Sequence, residues 1–139
     1  MQVHIVFATK HRKPTISKAW RDELHAVLGG SLKSQDAMPL AIGGTEDHVH
    51  LLVGLKGKHA VADLVRDVKV TSHEWADSRW KGFAWQGGYA ALSVAKSEVD
   101  RVKNYIANQE EHHRKMTSID ELRAILIEAG IEIDERFFE

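Results

Sequence analysis

The stretch GGTEDHVHLLVGL, residues 43–55, decides how the chain is interpreted, because it places two histidines in an otherwise apolar run. Its length, its bounding glycines and its content of Val and Leu are typical of a buried β-strand. Strand side chains alternate between two faces, so His48 and His50 share one face at positions about 6.6 Å apart. Two imidazole nitrogens at this spacing can converge on one cation. The pattern favours a metal-binding pair over two histidines that make ordinary hydrogen bonds.

The segments around this strand predict a small antiparallel sheet with helices. VHIVFAT at residues 3–9 and MPLAIGGT at residues 38–45 are strand candidates, and a further strand opens at Gly87-Gly88 and runs to Val94. Apolar residues at helical spacing occupy the segments between them. The predicted helices begin after the N-cap candidate Ser17, at residue 61, at Ser97 with Asp100 in a variant capping box, and at Ser118, with Gly130 as the last stop.

The order β-α-β-β-α-β followed by helices predicts an α+β fold of the ferredoxin-like, or split βαβ, type. In this fold an antiparallel sheet carries helices on one face, and we expect a C-terminal tyrosine-bearing helix in addition. Residues 1–139 are expected to form a single domain, with a helical C-terminal part over about 97–139. The face that carries the histidines is expected to be open to a ligand.

Composition narrows the class of protein. The 139 residues are 43% hydrophobic and 28% charged, and no run approaches the roughly 20 apolar residues of a membrane span, so we expect a cytoplasmic protein with no membrane partner. Cysteine is absent, so any metal must be held by nitrogen and oxygen ligands. Residues 1–115 carry 17 Lys and Arg against 13 Asp and Glu, or +4, and residues 116–139 carry 2 against 7, or −5. Binding of a nucleic acid by the basic part is therefore compatible with the charge.

The tyrosine helix supplies groups that complement the histidines. Tyr105 and Gln109 are four residues apart and neighbours on one helical face. Gln109 could give an amide oxygen to a metal, and Glu46, on the histidine side of the strand by its period of two, is a candidate further ligand. Such a ligand set suits Mg²⁺ or Mn²⁺, which would activate a phosphodiester for attack by the Tyr105 hydroxyl. The alternative is that Tyr105 only continues the apolar stripe of its helix.

Basic and aromatic residues suggest contacts with DNA. The candidates for phosphate contacts follow two strands that we expect to be adjacent in the sheet, and they are Lys10, Arg12, Lys13, Lys56 and Lys58. Solvated loop residues are the alternative. Trp80, Phe83 and Trp85 could stack on unpaired bases, although we expect at least two of them in the core.

Four motifs in order resemble a known family over nearly the whole chain. They are HIVFATKHRKP near the start, DHVHLLV, WQGGYAALSV with VDRVKNYIANQEEHHRK, and AGIEIDERF near the end. Together they resemble the single-tyrosine HUH transposases of the insertion-sequence 200/605 group. The resemblance implies that His48 and His50 bind a divalent metal, that Gln109 is the third ligand and that Tyr105 is the nucleophile.

The same resemblance implies a DNA transposase. Members cut and rejoin single-stranded DNA beside subterminal hairpins, through a 5′-phosphotyrosine intermediate, and they form homodimers in which the tyrosine can act in cis or in trans. Glu46 stands where many relatives have proline. Two other classes stay open: a non-catalytic module that binds single-stranded nucleic acid on the same fold, and a metal-dependent phosphodiesterase that uses water as its nucleophile.

Overall fold

Four antiparallel strands form one sheet in the order β2-β3-β1-β4. They are β1 (Gln2–Ala8), β2 (Met38–Gly44), β3 (His48–Gly54) and β4 (Ala90–Val94). The computed structural model describes residues 1–113 and 116–130. Strands β1 and β3 occupy the centre of the sheet, which is the strand order of the split βαβ unit. The predicted ferredoxin-like α+β fold is confirmed.

Five helices accompany the sheet within the described residues: α1 (Lys18–Ser34), α2 (Val61–Asp77), α3 (Val99–Ala107), α4 (Gln109–His113) and α5 (Ser118–Glu128). Short 3-10 helices at Lys10–Arg12 and Lys96–Glu98 follow β1 and precede α3. None of the helices described is both long and apolar enough to cross a membrane. The C-terminal sequence motif beyond Gly130, and with it the predicted end of the domain at residue 139, lies outside the described residues.

One face of the sheet packs on α1 and α2 and forms the main core. Odd-numbered residues of β1 and β3 point to this face, as the period of two predicts. The cluster contains Val3, Ile5, Phe7, Val49, Leu51 and Val53 from the strands, and Leu24, Leu28, Leu32, Leu64, Val65 and Val68 from the helices. Phe83 and Trp85 join this cluster, which confirms that at least two of the three candidate aromatic residues belong to the core. Trp80 is exposed.

The second face of the sheet is also covered by helices, so the expectation of an open histidine face is wrong. Leu122 and Leu126 of α5 pack on Val6 and Ala90, and α3 packs on Leu52 through an apolar cluster of its own. These contacts bury His48 and His50 completely. The reason is that α3 and α5 each carry an apolar stripe that must be removed from water, and this face of the sheet receives both stripes.

Gly43 allows α3 to approach the sheet closely. A Cβ atom at this position would lie 2.3 Å from the carbonyl oxygen of Ile106, which is a forbidden contact. Strand β2 therefore presents bare backbone where the end of α3 crosses it. The close approach fixes the height of α3 above β3 and brings Tyr105 and Gln109, on either side of Ile106, to the level of the histidines.

The helix starts differ in detail from the predictions. Ser17 caps α1 as expected, since its hydroxyl accepts a hydrogen bond from the Ala19 N–H. The capping box predicted at Ser97 is wrong, because Ser97 lies in a 3-10 helix and α3 begins at Val99 without a side-chain cap. Thr117, rather than Ser118, caps α5. Helix ends are poorly fixed by sequence because Ser and Thr compete for the same capping geometry.

Candidate active site

The two histidines of β3 are held by hydrogen bonds on their Nδ1 atoms. His48 Nδ1 lies 2.8 Å from Asp47 Oδ1 and 3.0 Å from Thr45 Oγ1. His50 Nδ1 lies 2.8 Å from Nε2 of His4, which is on the neighbouring strand β1. Both rings therefore turn their Nε2 atoms toward the helices that cover the sheet. Such outer hydrogen bonds fix the orientation of histidines that bind metals.

Two side chains from the covering helices meet these Nε2 atoms. Oε1 of Gln109 lies 2.9 Å from Nε2 of His48. Oε1 of Glu121, on α5, lies 2.9 Å from Nε2 of His50 and 3.2 Å from Nε2 of His48. Among the described residues, His48, His50 and Glu121 form a group of potential metal ligands, with one ligand atom of each within 4.8 Å of the others.

These separations fit a hard divalent cation. Two ligands in adjacent positions of an octahedron, each about 2.1 Å from Mg²⁺, lie about 3.0 Å apart. The ligand pairs given above are 2.9–3.2 Å apart, so one ion between them would need only small movements. Imidazole, carboxylate and amide oxygen are all ligands of such ions. The residues present therefore fit a divalent metal.

Tyr105 stands beside this cluster. Its hydroxyl donates a hydrogen bond to Oε2 of Glu121, the second oxygen of the same carboxylate. Its ring lies edge-on to that of His50, with 5.6 Å between the centroids. The phenol does not point into packed hydrocarbon: it borders a cleft of about 380 Å³ between α3 and α5, which Glu121 and His112 also line. Arg101 and Glu128 line the outer part of the cleft.

Burial and neighbouring charges shift the pKa values of the site. Burial alone would lower the pKa of His48, but its hydrogen bonds to Asp47 and Glu121 and their charges raise this pKa to about 9. Burial lowers the pKa of His50, and burial with the charge of His50 lowers the pKa of His4 to about 3. Without a metal, His48 therefore keeps a second ring proton and is positively charged near neutral pH.

The acidic groups of the site are shifted as well. Burial opposes the negative charge of Glu121, but hydrogen bonds from His48, His50 and Tyr105 hold the pKa of this carboxyl well below its usual range. Burial and the hydrogen bond to Glu121 raise the pKa of Tyr105 above its ordinary value. The tyrosine is thus a neutral hydroxyl in the metal-free protein, and a nearby positive charge would be needed to ionise it.

Not every predicted site residue reaches this cluster. Gln109 does, although a break in the helix at Asn108 separates it from Tyr105. Glu46 lies in the turn between β2 and β3, outside the group of potential metal ligands. Three residues of the site, which are His4, Asp47 and Glu121, are not identified from the sequence, because the sequence patterns around them are weaker. His4 lies beside the histidine pair because of the register in which β1 pairs with β3, and the sequence does not show that register. In the sequence, Glu121 looks like one of the charged residues on the exposed side of a helix.

The predicted DNA-contacting residues divide between the two ends of the sheet. Lys10, Arg12 and Lys13 follow β1 and lie at the end that carries His48, because Ala8 pairs with His48. Lys56 and Lys58 follow the antiparallel strand β3, so they lie at the opposite end, where both bind Asp36 at 2.7 and 2.8 Å. The two groups do not form one surface.

Arg12 is part of the wall of the site. Its guanidinium donates a hydrogen bond of 2.8 Å to Oγ of Ser118, the first residue of α5. Ser118 in turn donates to Asp47, the residue that orients His48. Burial lowers the pKa of Arg12, although the charges of Asp47 and Glu121 oppose this shift. Arg12 therefore links α5 to the histidine strand.

Comparisons with known proteins agree with this architecture. A family model described as "Transposase IS200 like" matches residues 1–109. The chain is 22% identical to the ISDra2 transposase TnpA of Deinococcus radiodurans over 117 residues, which cover 78% of this chain and 84% of that one. A crystal structure of a putative transposase from D. radiodurans superposes with a TM-score of 0.64 at 26% identity, covering 78% of this chain and 90% of that one.

A second solved structure has the same fold. It is a REP-associated tyrosine transposase bound to a REP hairpin, with a TM-score of 0.64 at 12% identity, covering 81% of this chain and 67% of that one. The fold and the site define a class of protein, namely ferredoxin-like domains with a buried histidine centre beside a tyrosine. Within that class, the chain belongs to the family of IS200-like transposases. This membership implies transposition of single-stranded DNA.

Proposed function

We propose that the protein cuts and rejoins single-stranded DNA at insertion-sequence ends by metal-assisted tyrosine transesterification. The single observation that carries this proposal is that Tyr105 donates a hydrogen bond to the carboxylate whose other oxygen contacts Nε2 of both His48 and His50. A nucleophile and a set of metal ligands thus share one partner. Family membership supports the same reaction class.

His48, His50 and Gln109 would hold the metal ion, which is Mg²⁺ or Mn²⁺ in this proposal. When bound, the ion would polarise the scissile phosphate and stabilise the charge that develops on it. Asp47 and His4 keep the two imidazoles in the orientation that exposes Nε2. The covering helices exclude water from the buried side of the site, which strengthens every electrostatic contact there.

The Tyr105 oxygen would attack the phosphorus atom, forming a bond between tyrosine and the 5′-phosphate while the bond to the 3′-oxygen breaks. The hydroxyl proton leaves along the existing hydrogen bond to Glu121, and the departing 3′-oxygen takes a proton from solvent. The phosphotyrosine conserves the energy of the broken bond, so the reverse attack by a 3′-hydroxyl rejoins DNA without a nucleotide cofactor.

The substrate in this proposal is single-stranded DNA with a subterminal hairpin. The REP-associated relative of the same fold binds a REP hairpin. Lys10 and Lys13 are exposed at the end of the sheet that carries His48, where they could contact phosphates. A homodimer is part of the proposal on the basis of the family resemblance. Tyr105 and both histidines meet within one chain, which supports a tyrosine that acts in cis.

A labelled oligonucleotide tests this reaction. We would incubate the protein and Mn²⁺ with a single-stranded hairpin oligonucleotide taken from the DNA that flanks the gene, labelled at its 3′ end. Since the 5′-phosphate of the 3′ fragment would be bound to tyrosine, the label should appear on protein after denaturation. Tyr105→Phe should abolish this adduct, His48→Ala and EDTA should greatly reduce it, and Tyr89→Phe, at the chain's other tyrosine, should not.

The same assay separates the two other classes. Cleavage that persists in Tyr105→Phe without a protein adduct would identify a phosphodiesterase that uses water. Binding of the hairpin with no cleavage in any divalent metal would identify a passive nucleic-acid-binding module. Either result contradicts the proposed function.

A further inference from the structure

We propose that Glu121 is a fourth ligand of the divalent metal ion, so that metal binding fastens α5 over the active site. This inference rests on the proposed function for the presence of a metal, but it concerns a residue beyond the segment that the family model matches, which ends at residue 109. It assigns a role to the C-terminal helix, which would otherwise only cover apolar surface of the sheet.

The burial of Glu121 needs an explanation. The side chain is 3% exposed, and a buried carboxylate costs several kcal/mol unless charges or hydrogen bonds compensate it. Five polar side chains converge on it. His48 and His50 contact Oε1, whereas Tyr105, Gln109 and His112 contact Oε2, the last at 3.2 Å. A carboxylate placed merely to solubilise α5 would face water instead.

The hydrogen-bond chemistry of His48 indicates a cation at this point. Asp47 is an acceptor, so Nδ1 of His48 carries the hydrogen of that bond. Nε2 of the same ring faces Oε1 of both Glu121 and Gln109 at 3.2 and 2.9 Å, so in the metal-free protein a cationic N–H lies between two oxygen acceptors. The amide of Gln109 is oriented by its own donation to Glu121 Oε2 at 3.1 Å. A metal ion that displaced this proton would be bound by Nε2 of His48 and by both oxygens, so the arrangement is suited to a cation at this point.

The attachment of α5 supports a closing role. Away from Glu121, the helix is held to the sheet by Leu122 and Leu126 and to the first loop by the Arg12–Ser118 hydrogen bond. The cleft beside Tyr105 runs between α3 and α5, so movement of α5 changes its width. A ligand from α5 would make this closure depend on the metal, and it would place the acceptor of the Tyr105 hydrogen bond next to the ion.

Direct measurement of Mn²⁺ binding without DNA tests this assignment. Calorimetric titration should give a dissociation constant at least tenfold weaker for Glu121→Gln than for the natural sequence. The control is Asp120→Asn, which removes the same charge from an exposed neighbour on the same helix and should change the constant less than twofold. His48→Ala should abolish binding. If Glu121→Gln binds Mn²⁺ as the natural protein does while His48→Ala does not, the Glu121 assignment is overturned and the proposed function stands.

Hydrogen exchange of the natural protein provides a second test that needs no variant. Mn²⁺ should slow amide exchange in α5 at least fivefold, because the ion would connect this helix to β3. Unchanged exchange in α5 at saturating Mn²⁺ would overturn the assignment even if Glu121→Gln fails to fold. If the natural protein binds neither Mn²⁺ nor Mg²⁺, the metal centre of the proposed function fails as well.

Discussion

The Nε2 atom of His4 lies 2.8 Å from the Nδ1 atom of His50, in a buried part of the sheet. The two rings come from adjacent central strands, and β1 and β3 are paired so that Val6 faces His50 and His4 lies diagonally across from it. Since the pKa of His4 is lowered to about 3 by burial and by His50, His4 is neutral, and when Nε2 of His50 binds a metal the Nε2 atom of His4 can accept the Nδ1 hydrogen of His50. His4 is thus a positioning residue for the histidine whose Nε2 atom faces Glu121.

Replacement of His4 should weaken metal binding. In His4→Phe the ring volume is kept but the acceptor for His50 is removed, and removal of such outer partners costs roughly 10- to 100-fold in metal affinity. Calorimetric titration with Mn²⁺ measures the change. His73→Phe, on α2 and away from the site, is the matched control. Equal Mn²⁺ affinity of His4→Phe and the natural protein would show that His50 needs no partner on Nδ1.

Gly43→Ala should separate α3 from the sheet. The added Cβ would meet the Ile106 carbonyl at 2.3 Å, so α3 must shift, at a cost of about 1–3 kcal/mol in the free energy of unfolding. Tyr105 and Gln109 would move with the helix, so adduct formation should fall more than the decrease in folded protein explains. Urea unfolding measures the first effect and the labelled-oligonucleotide assay the second.

Gly30→Ala is the control for Gly43→Ala. Gly30 lies inside α1, and a Cβ there meets no atom within 4 Å. Because alanine favours the helix over glycine, this variant should gain about 0.5–1 kcal/mol. Similar stability of the two variants would contradict the close approach of α3 at Gly43.

The stabilisation that the His48 proton gives the metal-free protein should decline as the pH rises from 6.5 to 8. The pKa of His48 is raised to about 9 from 6.5, so the folded protein holds a proton that the unfolded chain releases. This stabilisation is complete below pH 6.5 and declines toward pH 9, and about 1–2 kcal/mol should disappear by pH 8. The lowered pKa values of His4, His25, His50 and Lys69 add the opposite trend, so the His48 contribution must be measured against a variant in which its pKa shift is smaller.

Urea unfolding at pH 6.5 and pH 8 in EDTA measures this decline. Asp47→Asn removes one of the charges that raise the His48 pKa, so from pH 6.5 to pH 8 its free energy of unfolding should change in a more favourable direction than that of the natural protein. Saturating Mn²⁺ should remove the part of the pH dependence that comes from His48, since the ion takes the place of its proton. Equal changes of stability in the natural protein and in Asp47→Asn over this interval would contradict the shifted pKa of His48.

The tyrosine should act on the histidines of its own chain. Tyr105→Phe and His48→Ala protein would be mixed and tested for adduct formation. Because Tyr105, His48 and Glu121 meet within one chain, no activity should be recovered. Recovery to a substantial fraction of the natural level would mean that the helix bearing Tyr105 is exchanged between two subunits in the active state.

The two lysine pairs should contribute unequally to DNA binding. The double substitution Lys10→Ala and Lys13→Ala removes charge at the His48 end of the sheet. The double substitution Lys56→Ala and Lys58→Ala removes charge at the other end of these seven-residue strands, about 20 Å away. The Lys10 and Lys13 substitutions should weaken binding of a single-stranded hairpin. They should also lower the salt dependence of binding, by about 0.7 in the slope of log K against log salt for each phosphate that is no longer neutralised. Fluorescence anisotropy from 50 to 200 mM salt would measure both. An equal effect of the two pairs would contradict the division of the basic residues.

The sequence by itself determined the sheet, the histidine pair and the tyrosine. Periods of two and of 3.6 are local properties, so the strand around His50 and the helix around Tyr105 could be predicted from short segments, and the order of the elements then restricted the topology. The resemblance of four ordered motifs to a transposase family required only the identity and order of residues, and the match of the family model to residues 1–109 confirms it.

Only the tertiary structure decided what surrounds the histidines. The register of β1 against β3 brought His4 to His50. The packing of α5 on Val6 and Ala90 brought Glu121 to both imidazoles, and Glu121 is 71 residues from His50 in the chain. Antiparallel pairing also sent Lys56 and Lys58 away from the site that their sequence position suggested. Contacts of this kind depend on how distant segments of the chain pack together in the core, and the local spacing of residues does not determine that packing.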